Sequence, residues 1–363
     1  MTTSGVRALL LTLAVGLALG CGGSMPSTDL PEARQVMPAL AFPDLRDYRG
    51  VIDCRMRESG IEQSKLADIA RSAQIDFIFL GDPALKGSSD FGIGGFTSDV
   101  LIFPGASYKI GAGGAEIVAL NLQHPLDESR DLITQIHDQG ALALAVNLGG
   151  FSSPDQYALA DAVEIYNLNN EWHSRSSVAM YLHGIFFGAD HFFRNLDTLP
   201  NDVEIYDRIA GARVGLVAGV GAAPNLLVMG THVGTYAQIF QVFTTHIIAR
   251  ERQADPMIDA LKHGHAYVSF DFLGYVPNFM FYAQTADRKV MMGDEIPMTP
   301  GMKLKVEMPA AADKVVILGN GSEFATGANV STFEFEPTGA AVYRVEAYRA
   351  GHPWIYSNPI YVR

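Results

Sequence analysis

From position 48 to about 274 the chain alternates short apolar runs with stretches of helical period, and this alternation limits the fold more than any other feature. Strands are predicted over 50–54 and 75–80 around a helix over 62–73, where Leu66, Ile69 and Ala70 share one face. The pattern returns as a helix over 131–139, strands over 141–146 and 162–166, a helix over 202–210 and a strand over 214–220. Strands separated by helices imply parallel pairing with helical crossovers, in a barrel or an open α/β sheet. After about Gly274 the helical period disappears. Short strands are predicted over 279–283, 303–308, 314–318, 332–335 and 342–348. Residues 275–363 therefore read as an all-β, sandwich-like module appended to an α/β body over 47–274. Asn320-Gly321 reads as the tight turn of a hairpin.

A different kind of segment precedes this body. Arg7 is the only charge ahead of an apolar run from Ala8 to Gly20. At about 1.5 Å per residue this run is too short to cross a hydrocarbon core of about 30 Å, so residues 1–20 read as a secretory signal peptide. Leu17-Ala18-Leu19-Gly20-Cys21 resembles a bacterial lipobox, which implies a lipidated Cys21 as the mature N-terminus. Gly22 in place of an aspartate implies the outer membrane as destination. Residues 21–46, with Pro26, Pro31, Pro38 and Pro43, then read as the lipidated start and a tether. The expected address is the bacterial cell envelope, with the lipid as the membrane contact and the body facing the periplasm or the cell surface.

Charge and cysteine content exclude several function classes. With 39 acidic against 26 basic residues the net charge is −13, so no basic surplus exists to displace counterions from a nucleic-acid backbone. Cys21 and Cys54 are the only cysteines, which excludes a disulfide-built scaffold and a thiolate zinc cluster. Cys54 is out of phase with Asp53 and Arg55 and reads as a small buried hydrophobe.

The run Arg49-Gly50-Val51-Ile52-Asp53-Cys54-Arg55, followed by a helix and then Ile75-Asp76-Phe77-Ile78-Phe79-Leu80-Gly81-Asp82-Pro83, resembles the opening of the PHP-domain phosphoesterases, named for polymerase and histidinol phosphatase. The resemblance continues through Pro104-Gly105-Ala106-Ser107, Val163-Glu164-Ile165-Tyr166-Asn167 and Ala218-Gly219-Val220-Gly221-Ala222-Ala223. It extends to Ala266-Tyr267-Val268-Ser269-Phe270-Asp271 and to the final Pro353-Trp354-Ile355-Tyr356-Ser357-Asn358 stretch. It implies a distorted (β/α)7 barrel. It also implies a phosphoesterase chemistry carried by divalent metals such as zinc, manganese or iron, held by His, Asp and Glu at the C-terminal ends of the strands.

Position by position, that equipment is nearly absent here. Where the resemblance calls for His-x-His the chain has Asp53-Cys54-Arg55, and Thr-Asp-His is replaced by Gly81-Asp82-Pro83. Ser107 stands near an expected glutamate, Asn147 or Leu148 where a histidine belongs, and Gly221-Ala222-Ala223 in place of Asp-Ala-His. Only Asp82 survives, although Asp53 is still of ligand type. In a strand Asp53 and Arg55 point to one side, so a guanidinium is expected where a divalent cation would sit, paired with Asp53 or Asp82. The expected pocket thus comprises Asp53, Arg55, Asp82, Ser107 and Asn147, with no catalytic residue, no metal ligand and no cofactor assigned.

Other motifs compete poorly. His263-Gly264-His265 has the His-x-His spacing of a metal pair, but lies where the family has basic residues of no catalytic role. His232 reads as a loop or packing residue, and His183 and His191 as one face of a helix-like segment. Gly219-Val220-Gly221-Ala222-Ala223-Pro224 lacks the third glycine of a dinucleotide loop. The turns at Gly92–Gly95 and Gly111–Gly114 lack a phosphate-loop lysine, and no Gly-x-Ser-x-Gly elbow occurs. Two readings follow: a non-catalytic PHP-like lipoprotein that acts in binding or assembly, with an unidentified small molecule or protein as ligand, or a metal-dependent phosphoesterase with a rebuilt centre.

Overall fold

The computed structural model describes residues 39–85, 91–111, 113–167, 202–221, 226–228, 231–233 and 235–363. The expected signal peptide, Cys21, His183 and His191 lie outside them. The described chain is mixed α/β and rich in strands, with few helices. Its first strands are β1 (Arg46–Cys54), β2 (Phe77–Leu80), β3 (Val100–Phe103), β4 (Gly105–Ile110) and β5 (Ala115–Leu120). β6 (Leu142–Val146), β7 (Ala162–Asn167), β8 (Gly215–Gly219), β9 (Thr244–Ala249) and β10 (Ala266–Ser269) follow. The helices are α1 (Gln63–Ser72), α2 (Leu132–Asp138), α3 (Asp202–Ile209), α4 (Tyr236–Ile239) and α5 (Ala254–Lys262).

Parallel pairing with helical crossovers holds for only part of the sheet. β1 pairs in parallel with β2 and β8, and β7 with β6 and β8. β4, β5 and β6 are instead antiparallel neighbours, β4 and β5 joined by a short turn and β5 and β6 by a loop and α2. The two strands of the β4–β5 hairpin escape a search for strand–helix alternation because no helix separates them. A parallel bridge between Pro83 and Ser107 links the end of β2 to β4, so the hydrogen-bonded neighbours return to β1.

Successive residues along these strands fall into different apolar clusters, as a period of two requires. Phe77, Phe79, Phe103, Val118, Leu120, Leu142, Leu144 and Val146 belong to one cluster, closed off by Met257 and Leu261 of α5. Ile78, Leu80, Ile117, Ala119, Ala143 and Ala145 belong to another, which includes Leu66 and Ala70 of α1, Ile136 of α2 and Tyr206 of α3. Burial on both faces explains why these strands read in the sequence as continuous apolar runs. Cys54 is fully buried among the second set.

No helix among the described residues follows position 274. There β11 (Met280–Gln284), β12 (Lys303–Gly319), β13 (Ser322–Phe335), β14 (Ala341–Arg349), β15 (His352–Ser357) and β16 (Ile360–Val362) pair with one another. β15 also pairs with β10, which joins these strands to the earlier sheet. The strands expected over 303–308 and 314–318 are one long strand with a register shift between Glu307 and Ala312, and Pro309 is accommodated at that irregularity. Asn320 and Gly321 have φ of 50° and 76°, the left-handed pair of a two-residue hairpin turn. His232, expected as a loop or packing residue, lies in a short strand and pairs with Leu227.

β1 is fastened to its surroundings by the buried guanidinium of Arg49. Its Nε and Nη2 donate to Asp271 Oδ2 at 2.8 and 2.6 Å, Nη1 donates to Ala73 O at 2.6 Å, and Nη2 donates to Phe240 O at 2.9 Å. Thr244 Oγ1 and Ser269 Oγ donate to the same carboxylate at 2.8 and 2.6 Å. One side chain thereby joins β1, the ends of α1 and α4, and the turn after β10. Removing one member of a buried pair costs about 3–5 kcal/mol because the other charge is left buried. Arg49→Met is therefore expected to lower the unfolding free energy by about that amount in a urea titration; an unchanged midpoint and slope would show that the clamp is not stabilising.

Candidate functional site

The inward-facing positions turn polar only at the end of the ring where the parallel strands finish. Glu116 precedes Val118 and Leu120 on its side of β5, and Glu164 follows Ala162 on its side of β7. Gly81 continues the Phe77–Phe79 side beyond β2, and Gly219 the Val217 side of β8. Both glycines make room for a carboxylate. A Cβ at Gly81 would lie 1.9 Å from Asp53 Oδ1, and one at Gly219 would lie 1.6 Å from Glu164 Oε1 and 3.3 Å from the Asp53 Cβ. Asp53 and Glu164 are 0% and 1% exposed.

Asp53 does not sit in regular strand, as the alternation argument for Asp53 and Arg55 supposed. Its φ is +53°, and the β1–β2 register shifts between Val51 and Cys54. The kink does not part the two residues: Arg55 Nη2 is 3.6 Å from Asp53 Oδ2 and donates to Glu116 Oε2 at 2.8 Å. Glu116 is thus a partner that the sequence reading missed. Neither Asp53 oxygen accepts a hydrogen bond among the described residues. Burial pushes the Asp53 carboxyl up to about 7; Arg55 pulls it down, while the neighbouring Glu116 and Asp82 push it further up.

Asp82 has a different task. Its carboxylate accepts the main-chain N–H groups of Met56 and Arg57 at 3.1 and 2.7 Å, fixing the turn that carries Arg55. Tyr236 Oη donates to Arg55 O at 2.7 Å, and Arg57 Nη2 donates to Pro83 O at 3.1 Å, so the turn is pinned from three directions. Ser107 is buried beside Asp82; its N–H donates to Asp82 O at 3.0 Å, and its carbonyl accepts from Ala84 at 2.9 Å. Asn147 starts the short turn after β6 at φ +57°, and its amide donates to Gly114 O at 2.9 Å. The structure therefore brings Asp53, Arg55, Asp82 and Ser107 to one end of the ring and adds Glu116 and Glu164. Asn147 braces the β4–β5 turn.

Glu116 and Glu164 share a signal in the sequence. Each is the lone charge in an otherwise apolar strand, Ala-Glu-Ile-Val-Ala-Leu and Ala-Val-Glu-Ile-Tyr-Asn. A charge in a run buried on both faces calls for a partner. Glu164 Oε2 accepts from Asn167 Nδ2 at 2.6 Å, both side chains being buried. Among the described residues no three His, Cys, Asp or Glu side chains are arranged to hold a metal ion, and no helix is long and apolar enough to cross a membrane.

A carboxyl whose folded pKa lies near 7 and whose unfolded pKa is about 4 binds its proton more tightly when folded. Its contribution is fully present below about pH 4 and is lost as the pH rises through 7. The slope is at most about 1.4 kcal/mol per pH unit. Asp53→Asn, which stays neutral, is expected to gain stability relative to the native chain between pH 5 and pH 8. Urea unfolding at the two pH values measures this, and an equal difference at both would refute it.

The chain matches no family model and no curated protein. Among solved structures it is similar to a two-domain protein from Bacteroides vulgatus containing a predicted PHP-like metal-dependent phosphoesterase. The match has 11% identity over 89% of this chain and 97% of that one, with a TM-score of 0.43.

Proposed function

We propose that the chain is a PHP-like, lipid-anchored envelope protein that binds a ligand without hydrolysing it, its metal centre replaced by a salt-bridged cluster around Arg55. The observation that carries this reading is the position of the guanidinium, 2.8 Å from Glu116 and 3.6 Å from Asp53. A divalent ion placed about 4 Å from it would be repelled by about 8 kcal/mol at an effective dielectric constant of about 20. Arg55 already supplies the countercharge that a metal would bring to these carboxylates. The residues present do not fit a divalent metal while Arg55 is in place. The lipobox-like Leu17-Ala18-Leu19-Gly20-Cys21 supports the anchor, and Gly22 in place of an aspartate supports the outer-membrane address.

A second reading, a metal-dependent phosphoesterase rebuilt around Asp53 and Asp82, draws on the buried Asp53 carboxylate, whose oxygens accept no hydrogen bond among the described residues. Elemental analysis after gel filtration, with phosphomonoester and phosphodiester assays in added manganese or zinc, separates the two. No tightly held metal and no hydrolysis are expected. Stoichiometric metal, or hydrolysis that Asp82→Ala abolishes, would sink the first reading. Arg55→Ala leaves the carboxylates without their cation. Its melting temperature is expected to fall and to be raised again by manganese, whereas that of the native chain does not respond.

A further inference from the structure

Beyond the ring, two histidines meet at the end of α5. His263 caps that helix, and Gly264, at φ +74°, turns the chain so that the rings of His263 and His265 stack with centroids 5.7 Å apart and planes 29° apart. Each ring has one nitrogen tied to an oxygen. His263 Nδ1 donates to Asp259 O at 2.8 Å, with the Asp259 carboxylate at 3.4 Å. His265 Nε2 donates to Asp294 Oδ1 at 2.9 Å, and the other Asp294 oxygen accepts the Met291 N–H at 3.1 Å. Carbonyl and carboxylate oxygens only accept, so these bonds fix both tautomers. His263 Nε2 and His265 Nδ1 are left with a lone pair each.

Asp294 places one carboxylate at this corner, 2.9 Å from His265. Asp259 adds a second carboxylate, 74% exposed at the side chain. Lys262 is the neighbouring cation in sequence, and its Nζ donates to Gly140 O at 3.2 Å. An imidazole whose far nitrogen is held by a carboxylate or carbonyl is the usual arrangement of a metal-bound histidine.

We propose that His263 and His265 form an exchangeable site for a borderline transition-metal dication such as Zn2+. Their free nitrogens are two ligands, and water completes the shell. Asp294 is a positioning residue that orients His265. With two protein ligands rather than the four of a structural zinc site, binding is weak enough for the ion to be removed by a chelator. The proposal is independent of the Arg55 cluster, because a metal held at that cluster would remain when both histidines are replaced.

Calorimetric titration of the chelator-stripped protein with Zn2+ tests it. His263→Asn with His265→Asn is expected to bind one equivalent fewer than the native chain. Either substitution alone, or Asp294→Asn, is expected to weaken that equivalent about tenfold or more. A copper-loaded sample gives a second readout, since nitrogen hyperfine couplings should be lost in the double variant. His→Gln replacements at both positions with an unchanged melting temperature guard against misfolding. Equal zinc stoichiometry in the native and doubly substituted proteins, or an Asp294→Asn variant with native affinity, would overturn the site.

Discussion

Carboxylates gathered out of water need a positive charge among them, and Arg55 supplies it. Asp53, Glu164 and Asp82 are 0%, 1% and 3% exposed, and Glu116 adds a fourth carboxylate with only 14% of its side chain exposed. Much of the local backbone serves this arrangement. Asp53 departs from the extended conformation, Gly81 and Gly219 give up their side chains to admit oxygens, and Asp82 with Tyr236 fixes the turn that delivers the guanidinium. A metal would satisfy the same acids without the turn; a guanidinium demands it, because a planar fork must arrive at a fixed angle.

The same strand carries a second buried arginine with a different role. Arg49 distributes its donors over one carboxylate and the carbonyls at the ends of two helices, whereas Arg55 reaches the carboxylates of Glu116 and Asp53. The first is structural in the plainest sense, tying β1 to the segment that leads into the C-terminal strands. The second is set at the end of the ring where acidic side chains replace apolar ones. β1 thus spans the passage from a load-carrying region to a chemically specialised one.

Much of this was legible in the sequence, for stated physical reasons. The helices over 62–73, 131–139 and 202–210 announce themselves by period and lie within a residue or two of their predicted ends. Arg55 stood out because it occupies the place where the resemblance calls for the second histidine of His-x-His. The β4–β5 hairpin did not, because a fully buried strand has no alternation to read and no helix marks its end. Glu116 was missed for the opposite reason from Arg55: it lies early in its strand, and only the antiparallel turn of that hairpin brings it to the same end of the ring. Contact between distant strands is a property of topology, and a period of two cannot encode it.

The closure of the ring at Pro83 and Ser107 has a consequence for motion. Every other junction of the ring joins two assigned strands, but this one is a single isolated bridge, with Ser107 donating to Asp82 O and accepting from Ala84. Proline brings no N–H to the seam. Amide hydrogens on either side of it should therefore exchange with solvent through openings too small to disturb the remaining strands. Asp82 belongs to that seam as well as to the turn that holds Arg55. A fluctuation that parts the ring there would loosen the guanidinium at the same moment, making that join also the hinge of the charged cluster.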